Sequence, residues 1–171
     1  MKFELRPVDV LDHEWLVELH NDPLVLNNNT DPRPITLTGH LDWWSKTIAG
    51  SDRNMRFIFT IDDERAGFAK LIDIDKANKN CYLGADIHSS FRGKGYAKEL
   101  WTLMLDMCFY HLRLHRVALT TAEFNEVGFH IYKKLGFKEE GRFVQSLFRD
   151  GRYYDEILMY MLHDDWIWVP G

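Results

Sequence analysis

A short glycine-containing segment, Arg92-Gly93-Lys94-Gly95-Tyr96-Ala97, carries the clearest chemical signal in the chain. A strand pattern precedes it, and an apolar helix pattern begins directly after it. Glycines let the backbone close around a ligand, and a helix start exposes unpaired N–H groups at the positive end of its dipole. Arg92 and Lys94 add positive charge beside this helix start. The segment therefore predicts a binding site for a pyrophosphate.

The spacing argues against two other phosphate-binding loops. The segment lacks one glycine of the pattern G-x-G-x-x-G, and no acidic residue follows at the distance that contacts a ribose in a βαβ unit. The P-loop pattern G-x-x-x-x-G-K-[ST] is absent as well. Taken alone, the segment is compatible with an anion site or with a glycine-rich turn between a strand and a helix.

A second motif begins about 30 residues later, from Asn125 to Phe137, with the sequence N-E-V-G-F-H-I-Y-K-K-L-G-F. In this order, the two segments closely resemble the signature of the GCN5-related N-acetyltransferase (GNAT) superfamily. That signature is Q/R-x-x-G-x-G/A, followed by N-x-x-A-x-x-x-Y-x-x-x-G-F. The resemblance extends from about residue 3 to residue 162. It implies an enzyme that uses acetyl-coenzyme A (acetyl-CoA) and no metal to acetylate an amine.

The resemblance also implies where acetyl-CoA binds. The loop amides would hold the pyrophosphate, and the pantetheine arm would lie where the strand at 83–88 separates from the strand at 117–121. Asn125 would contact the arm, a role compatible with capping the helix that follows. Gly128 replaces the usual alanine, and its small size would leave room for the adenosine end. The residues expected to contact the cofactor are Ile87, His88, Arg92, Gly93, Lys94, Gly95, Tyr96, Ala97, Asn125 and Tyr132.

By the same resemblance, Tyr132 is the expected general acid. An amine that attacks the thioester expels a CoA thiolate, and a phenol beside the sulfur can protonate it. The general base stays open. Many superfamily members have a glutamate two residues before the strand glycine, and this chain has Tyr82 before Leu83-Gly84. Asp86, acting directly or through water, and Glu123 are the two candidates for the base.

The acceptor amine depends on the first 50 residues, whose pattern resembles the branch that acetylates amino groups on nucleotide-linked sugars. Aromatic side chains would stack on the sugar or base, and asparagine amides would bind its hydroxyl groups. One of the two neighbouring tryptophans, Trp43 or Trp44, would instead pack into the core. A nucleotide-linked amino sugar is therefore the expected acceptor. The expected substrate contacts are Asn28, Trp43, Trp44 and Tyr82.

Three alternatives for the function stay open. The C-terminal half resembles bacterial spermidine acetyltransferases, but a polyamine needs a carboxylate-lined groove. The segment 20–50 offers only three aspartates, balanced by Arg33 and Lys46, so such a groove is not evident. The second alternative is an N-terminal acetyltransferase of the ribosomal-protein type. The third is a non-catalytic CoA-binding module, against which the presence of Tyr132 argues.

The elements that must position these residues follow from hydrophobic periodicity. An Asn-, Asp- and Pro-rich stretch at 20–36 predicts a binding loop between two N-terminal helices. The order of the remaining segments predicts an α/β fold: one GNAT domain with a mixed, mostly antiparallel sheet, splayed central strands and flanking helices. The expected strands are 3–6, 56–61, 66–74, 81–88, 115–121, 137–140 and 153–162, and the later helices are 95–112 and 126–135.

Composition limits the remaining classes. A chain of 171 residues with 46% hydrophobic residues predicts a single domain over 1–171. A net charge of −5 disfavours a nucleic-acid partner. The two cysteines have no metal-binding spacing and are expected as reduced thiols. No signal-peptide or membrane-spanning run occurs, which predicts a cytoplasmic protein without membrane contact. The aromatic end, Trp166 to Trp168, is expected to dock on the sheet or to form a homodimer contact.

Overall fold

The computed structural model describes residues 1–166. Its centre is a seven-stranded sheet in the order β1-β2-β3-β4-β5-β7-β6. β4 and β5 run parallel and the other neighbours run antiparallel, so the predicted mixed, mostly antiparallel sheet is confirmed. The strands are β1 (Phe3–Pro7), β2 (Met55–Ile61), β3 (Glu64–Asp75), β4 (Asn80–Ile87), β5 (Arg116–Ala122), β6 (Lys138–Arg149) and β7 (Arg152–Leu162).

Helices flank the sheet, as the sequence predicts, but the prediction of a loop over residues 20–36 is wrong in part. A short helix forms there because Pro23 occupies its first turn and the Asp22 carboxylate accepts hydrogen bonds from the next free backbone N–H groups. The α-helices within residues 1–166 are α1 (His13–His20), α2 (Pro23–Asn28), α3 (Leu37–Thr47), α4 (Tyr96–Asp106) and α5 (Glu126–Leu135).

Two further boundaries differ from the sequence prediction. The helix expected to run to residue 112 changes to a π-helical turn at Met107–His111. The strand expected over 137–140 continues as β6 through to Arg149, because the hairpin with β7 supplies cross-strand hydrogen bonds to a mostly polar and exposed segment. Hydrophobic periodicity carries no signal for either feature, since one is a change of helix type and the other is stabilised by pairing.

The main core lies between one face of the sheet and α4. Leu100, Met104 and Leu105 of α4 are completely buried against Leu71 and other apolar side chains of the strands. Burying a side chain of this size contributes about 1.5–3 kcal/mol. Cys81 and Cys108 are free thiols within this core, and their Sγ atoms lie 4.0 Å apart.

The opposite face of the sheet carries polar residues. Successive side chains of a strand point to opposite faces, and the register pairs Arg56 with Lys70 and Lys70 with Gly84 across β2, β3 and β4. Asp86 lies two residues further along β4 and therefore shares this face. Residues from α1 and α3 line the same cavity as Arg56, Lys70 and Asp86, so both helices border this polar face.

The parallel strands β4 and β5 separate after three paired positions. Asn80, Cys81 and Tyr82 pair with the first three residues of β5, and no pairing follows beyond Tyr82 and Ala118. The splayed central strands are thus confirmed, but the separation begins after Ala118, and Val117, expected in the gap, is paired. The residues of β4 from position 83 onward keep free backbone groups on the side facing β5.

The C-terminal end of the described chain contacts α4. The Trp166 indole N–H donates a hydrogen bond to Asp106 of α4 at 2.8 Å, so this residue docks on a helix, whereas the sequence predicted a contact with the sheet or with a second copy. Ile167 and Trp168 lie outside the described residues. None of the helices in residues 1–166 is long and apolar enough to span a membrane. Over the same residues, no group of three or more His, Cys, Asp or Glu side chains is placed to hold a metal ion.

Candidate active site

A cavity of about 750 Å³, here called the loop cavity, lies where β4 and β5 separate. Its walls come from the end of β4, the glycine segment, the start of α4 and one side of α5. One cavity therefore brings together most of the residues expected to contact the cofactor. Those that line it are Ile87, Arg92, Gly93, Gly95, Tyr96, Ala97, Asn125 and Tyr132.

The glycine segment forms a turn with left-handed backbone at the start of α4. Gly93 and Gly95 have φ angles of +73° and +84°, and a β-carbon at either position would meet no neighbour within 4 Å. The glycines are therefore required by the left-handed backbone and not by lack of space. No side chain caps α4, because Gly95 is its N-cap residue. The first N–H groups of the helix face a site that suits a pyrophosphate.

Arg92 and Lys94 were expected to add positive charge beside the helix start, but both make contacts within the protein. The Arg92 guanidinium donates from Nε to the Ile87 carbonyl at 2.8 Å and pairs with Asp22 at 3.0 Å, so it ties the loop to α2. Burial raises the pKa of Asp22, but Arg92 and two backbone N–H groups outweigh it and leave this pKa below its usual value. Lys94 lies over the ring of Phe91 and does not line the loop cavity.

His88 also lies outside the loop cavity, although it was expected near the cofactor. Its imidazole accepts a hydrogen bond from the Ser90 backbone N–H at 3.3 Å and stacks on Trp15 at 5.8 Å. Its backbone N–H donates to the Ala66 carbonyl. His88 thus shapes the chain between β4 and the glycine segment.

Asn125 caps α5 and explains the unusual glycine that follows. Its Oδ1 accepts a hydrogen bond from the Gly128 N–H at 3.1 Å, and its Nδ2 donates to Thr121 Oγ1 at 3.1 Å. A β-carbon on residue 128 would lie 2.4 Å from Asn125 Nδ2. Gly128 therefore makes room for the Asn125 side chain. It also lines the loop cavity, and the expectation that its small size leaves room for the adenosine end stays a prediction.

Tyr132 lines the loop cavity and is held by aromatic contacts. Its ring packs edge-on against Trp101 at 5.0 Å and against Phe137 at 6.1 Å. Burial raises the pKa of the phenol, and the negative charge of Asp86 raises it further. Tyr132 is therefore protonated at neutral pH and presents an O–H donor to the cavity.

A second cavity, here called the Trp43 cavity, has a volume of about 510 Å³ and lies on the polar face of the sheet. Trp43 of α3 lines it, with 42% of the residue exposed. Its floor includes Phe68 and Lys70, and the Lys70 ammonium pairs with Asp86 at 3.1 Å. Asp86 lines the loop cavity as well. The two cavities therefore meet at Asp86.

Arg56 lies in the floor of the Trp43 cavity, and neither it nor Lys70 was singled out from the sequence. The Arg56 guanidinium donates from Nη1 to the carbonyls of Met55 at 3.0 Å and Leu71 at 2.8 Å, while its buried Nε has no partner. Burial lowers the pKa of Arg56 to about 10. A signal was present, since single basic residues interrupt the apolar strand patterns RFIFTI and AKLI.

The remaining predicted substrate contacts divide between the cavities. Asn28 lines the loop cavity and a third one of about 380 Å³, here called the Glu156 cavity, to which Tyr82 also belongs. Trp44 packs edge-on against His13 at 4.9 Å and is not part of these walls. The expectation that one of the two tryptophans fills the core is not met, because Trp44 packs between helices at an intermediate exposure.

Glu123, the second candidate base, precedes the loop-cavity residues Phe124 and Asn125, but its side chain is engaged elsewhere. Its carboxylate accepts a hydrogen bond from the Asp155 backbone N–H at 2.9 Å, and its own N–H donates to the Asp155 carbonyl. Glu123 does not line the loop, Trp43 or Glu156 cavity. Of the two carboxylates considered, the structure brings Asp86 to Tyr132.

A comparison with known protein families identifies the fold and its activity. Residues 2–138 match the family model described as the acetyltransferase (GNAT) domain. The chain belongs to the GNAT acetyltransferase family. It is an acetyl-CoA-dependent N-acetyltransferase, as the two sequence motifs predict, which sets aside the alternative of a non-catalytic module.

Similar proteins cover nearly the whole GNAT chain. Spermidine N(1)-acetyltransferase of Escherichia coli K12 is 29% identical over 91% of this chain and 83% of its own. L-amino acid N-acetyltransferase AaaT of the same organism is 27% identical over 91% and 94%. The crystal structure of spermidine N-acetyltransferase from Vibrio cholerae in complex with CoA and spermine superposes with a TM-score of 0.89, at 27% identity, over 95% of this chain and 96% of that one.

Proposed function

We propose that this GNAT enzyme binds acetyl-CoA in the loop cavity and transfers the acetyl group to the primary amine of a small molecule in the Trp43 cavity. The observation that carries the proposal is that Asp86 lines both cavities. A donor in one cavity and an acceptor in the other would meet beside this carboxylate. Such a meeting point is what direct transfer between two bound substrates requires.

The residues of the loop cavity fit the donor. The backbone around Gly93 and Gly95 would hold the pyrophosphate, and the free backbone groups of β4 after Tyr82 would pair with the pantetheine arm. Acetyl-CoA supplies an acetyl group activated as a thioester. A solved relative is described in complex with CoA, which supports this assignment.

Asp86 and Tyr132 are the groups that would move protons. A primary ammonium must lose a proton before its nitrogen can attack, and Asp86 would accept that proton directly or through water. Tyr132 would donate a hydrogen bond to the sulfur as the C–S bond breaks. Because its pKa is raised above that of an ordinary phenol, Tyr132 acts mainly by stabilising the negative charge through this hydrogen bond.

The names of the relatives bear on the acceptor. Two of them are called spermidine acetyltransferases, so these comparisons support the polyamine alternative better than the nucleotide-linked amino sugar expected from the first 50 residues. Another relative is named for L-amino acids. The acceptor screen should therefore include spermidine, amino acids and a nucleotide-linked amino sugar.

Asp86→Asn tests the proposal. We expect kcat/KM for the best amine to fall about 100-fold, because the amide cannot accept the proton, while the Kd for CoA stays unchanged. The pH dependence of kcat/KM should also change in this variant, because hydroxide or buffer must accept the proton in place of the carboxylate. Asp52→Asn, in an exposed ion pair with Lys76, is the matched control and should behave like the wild type. An Asp86→Asn enzyme of normal rate and pH profile would refute the role of Asp86.

A further inference from the structure

Arg56 carries a positive charge without an ion-pair partner, and the negative charge of Asp73, which raises its pKa, acts on it only from beyond ion-pair distance. In the part of the chain that the structure describes, no carboxylate oxygen lies within 4.0 Å of its guanidinium. Two backbone carbonyls accept from one nitrogen, and the buried Nε donates to nothing. A buried cation without a counter-ion is costly to a folded protein. The side chain nevertheless stays charged, because its pKa of about 10 lies well above neutral pH.

The other charges of the Trp43 cavity are already paired. Asp86 pairs with Lys70 at 3.1 Å, and Asp31 pairs with Arg33 at 2.6 Å. The buried His20 Nε2 at this cavity also lacks a hydrogen-bond partner. The uncompensated charge of the cavity is therefore positive and belongs to Arg56. A second ammonium group of the acceptor would meet a like charge at this end.

We infer that the acceptor amine also carries an anionic group, a carboxylate or a phosphate, and that Arg56 binds it. The inference rests on the proposed function, since it names the acceptor of the same site. A guanidinium suits both groups because its N–H donors form charge-assisted hydrogen bonds with anionic oxygens. An acceptor of this kind would bind at Nη2, because Nε is buried and Nη1 already donates to two backbone carbonyls.

The sheet also sets the separation of the two groups. Arg56 lies on β2 and Asp86 on β4, about 10 Å apart across the sheet. Asp86 is also two residues beyond Gly84, the position in register with Arg56, which adds about 7 Å along the strands and gives a backbone separation of roughly 12 Å. The amine must reach Asp86 while the anion reaches Arg56. The acceptor should thus hold its amine and its anion several bonds apart, further than in an α-amino acid.

A polycationic acceptor would depend on a different residue. Glu156 lines the neighbouring Glu156 cavity and accepts a hydrogen bond from Thr120 at 2.7 Å. Within residues 1–166, no Lys, Arg or His nitrogen lies within 4.0 Å of its carboxylate. The distal ammonium of a polyamine would find its counter-charge there and not in the Trp43 cavity. Variants of Arg56 and Glu156 therefore separate the two acceptor classes.

The test uses acceptors with the same five carbon atoms that differ only in the group at the far end. These are 5-aminopentanoate, 5-aminopentyl phosphate, 5-aminopentan-1-ol and 1,5-diaminopentane, with spermidine and an α-amino acid alongside. In the wild type, we expect kcat/KM for one of the two anionic compounds to exceed that for the diamine at least tenfold. The better of the two identifies the anion as a carboxylate or a phosphate. Arg56→Gln should remove this preference, Arg56→Lys should keep part of it, and Glu156→Gln should leave it unchanged.

Other outcomes would overturn the inference. A preference for the diamine or spermidine that survives Arg56→Gln and falls with Glu156→Gln would mean a polycationic acceptor, with the proposed function intact. If no amine is acetylated, the proposed function fails, and calorimetric binding of the anionic compounds to the CoA complex still tests Arg56. If the wild type binds an anionic compound and Arg56→Gln does not, the inference is supported. Equal affinity of the wild type and Arg56→Gln for these compounds contradicts it. Thermal melting checks that the variants fold, and Arg56→Lys serves if the glutamine variant does not.

Discussion

The loop cavity and the Trp43 cavity meet at Asp86 but are built in different ways. The loop cavity uses mainly backbone: two glycines with positive φ, the start of α4 and the unpaired edge of β4. The Trp43 cavity uses side chains from α1, α3 and the polar face of three strands. Among residues 1–166, only Asp86 contributes to both.

This difference bears on what each cavity can recognise. Backbone N–H groups at a helix start bind a phosphate whatever the neighbouring side chains are, provided that the glycines allow the turn. A site made of separate side chains can change its ligand when a single charge changes. In the Trp43 cavity we propose that Arg56 is this charge, since Lys70 and Asp86 pair with each other. Within one fold, the donor site can thus stay constant while the acceptor site varies.

Tyr132→Phe, which removes one hydroxyl from the loop cavity, is the strongest test of the proposed separation between a donor site in this cavity and an acceptor site in the Trp43 cavity. We expect kcat to fall about 100-fold with every amine, because a donor to developing charge is lost. KM for the amine and Kd for CoA should stay near the wild-type values, as measured by steady-state kinetics and calorimetry. Tyr154→Phe, whose ring packs against Phe124, is the matched control. An unchanged kcat at saturating amine across pH would exclude Tyr132 from the chemistry.

The loop cavity could be predicted from the sequence because its determinants are local. The positive φ angles of Gly93 and Gly95, the N-cap at Asn125 and the position of Tyr132 on α5 all follow from two short segments. The sheet followed from alternating strands and turn residues. The extension of β6 and the π turn after α4 did not, because cross-strand pairing and packing produce them.

The Trp43 cavity could not be predicted in the same way. Arg56, Lys70 and Asp86 are far apart in the chain and become neighbours only through the register of β2, β3 and β4. Asp86 was singled out by its position near the strand glycine, whereas the two basic residues looked like ordinary strand positions. The role of Arg92 shows the same limit, since its partner Asp22 comes from a helix that the composition did not reveal.

Gly95→Ala tests the claim that the loop cavity depends on backbone shape. A non-glycine residue in the left-handed region costs about 1–2 kcal/mol, so the loop should relax and CoA binding would have to restore its geometry. We expect the Kd for CoA to rise about tenfold and the ranking of amines to stay the same. Gly141→Ala, at an open position without a positive φ, should bind CoA normally. Normal CoA affinity in Gly95→Ala would mean that the loop does not hold the pyrophosphate.

The smallest expected effect is that of a substitution in the Trp43 cavity. Trp43→Ala removes an exposed ring that lines the Trp43 cavity, and the loss of its contact area should raise KM for the amine about fivefold without changing kcat or the Kd for CoA. Leu41→Ala, on the same helix with the same 42% exposure, does not line the cavity and is the control. A rise in the Kd for CoA instead would show that the two cavities share more than Asp86. A fivefold change confined to the amine would support the proposed division into an acceptor site and a donor site, because Trp43 takes no part in the backbone turn that we propose binds the donor.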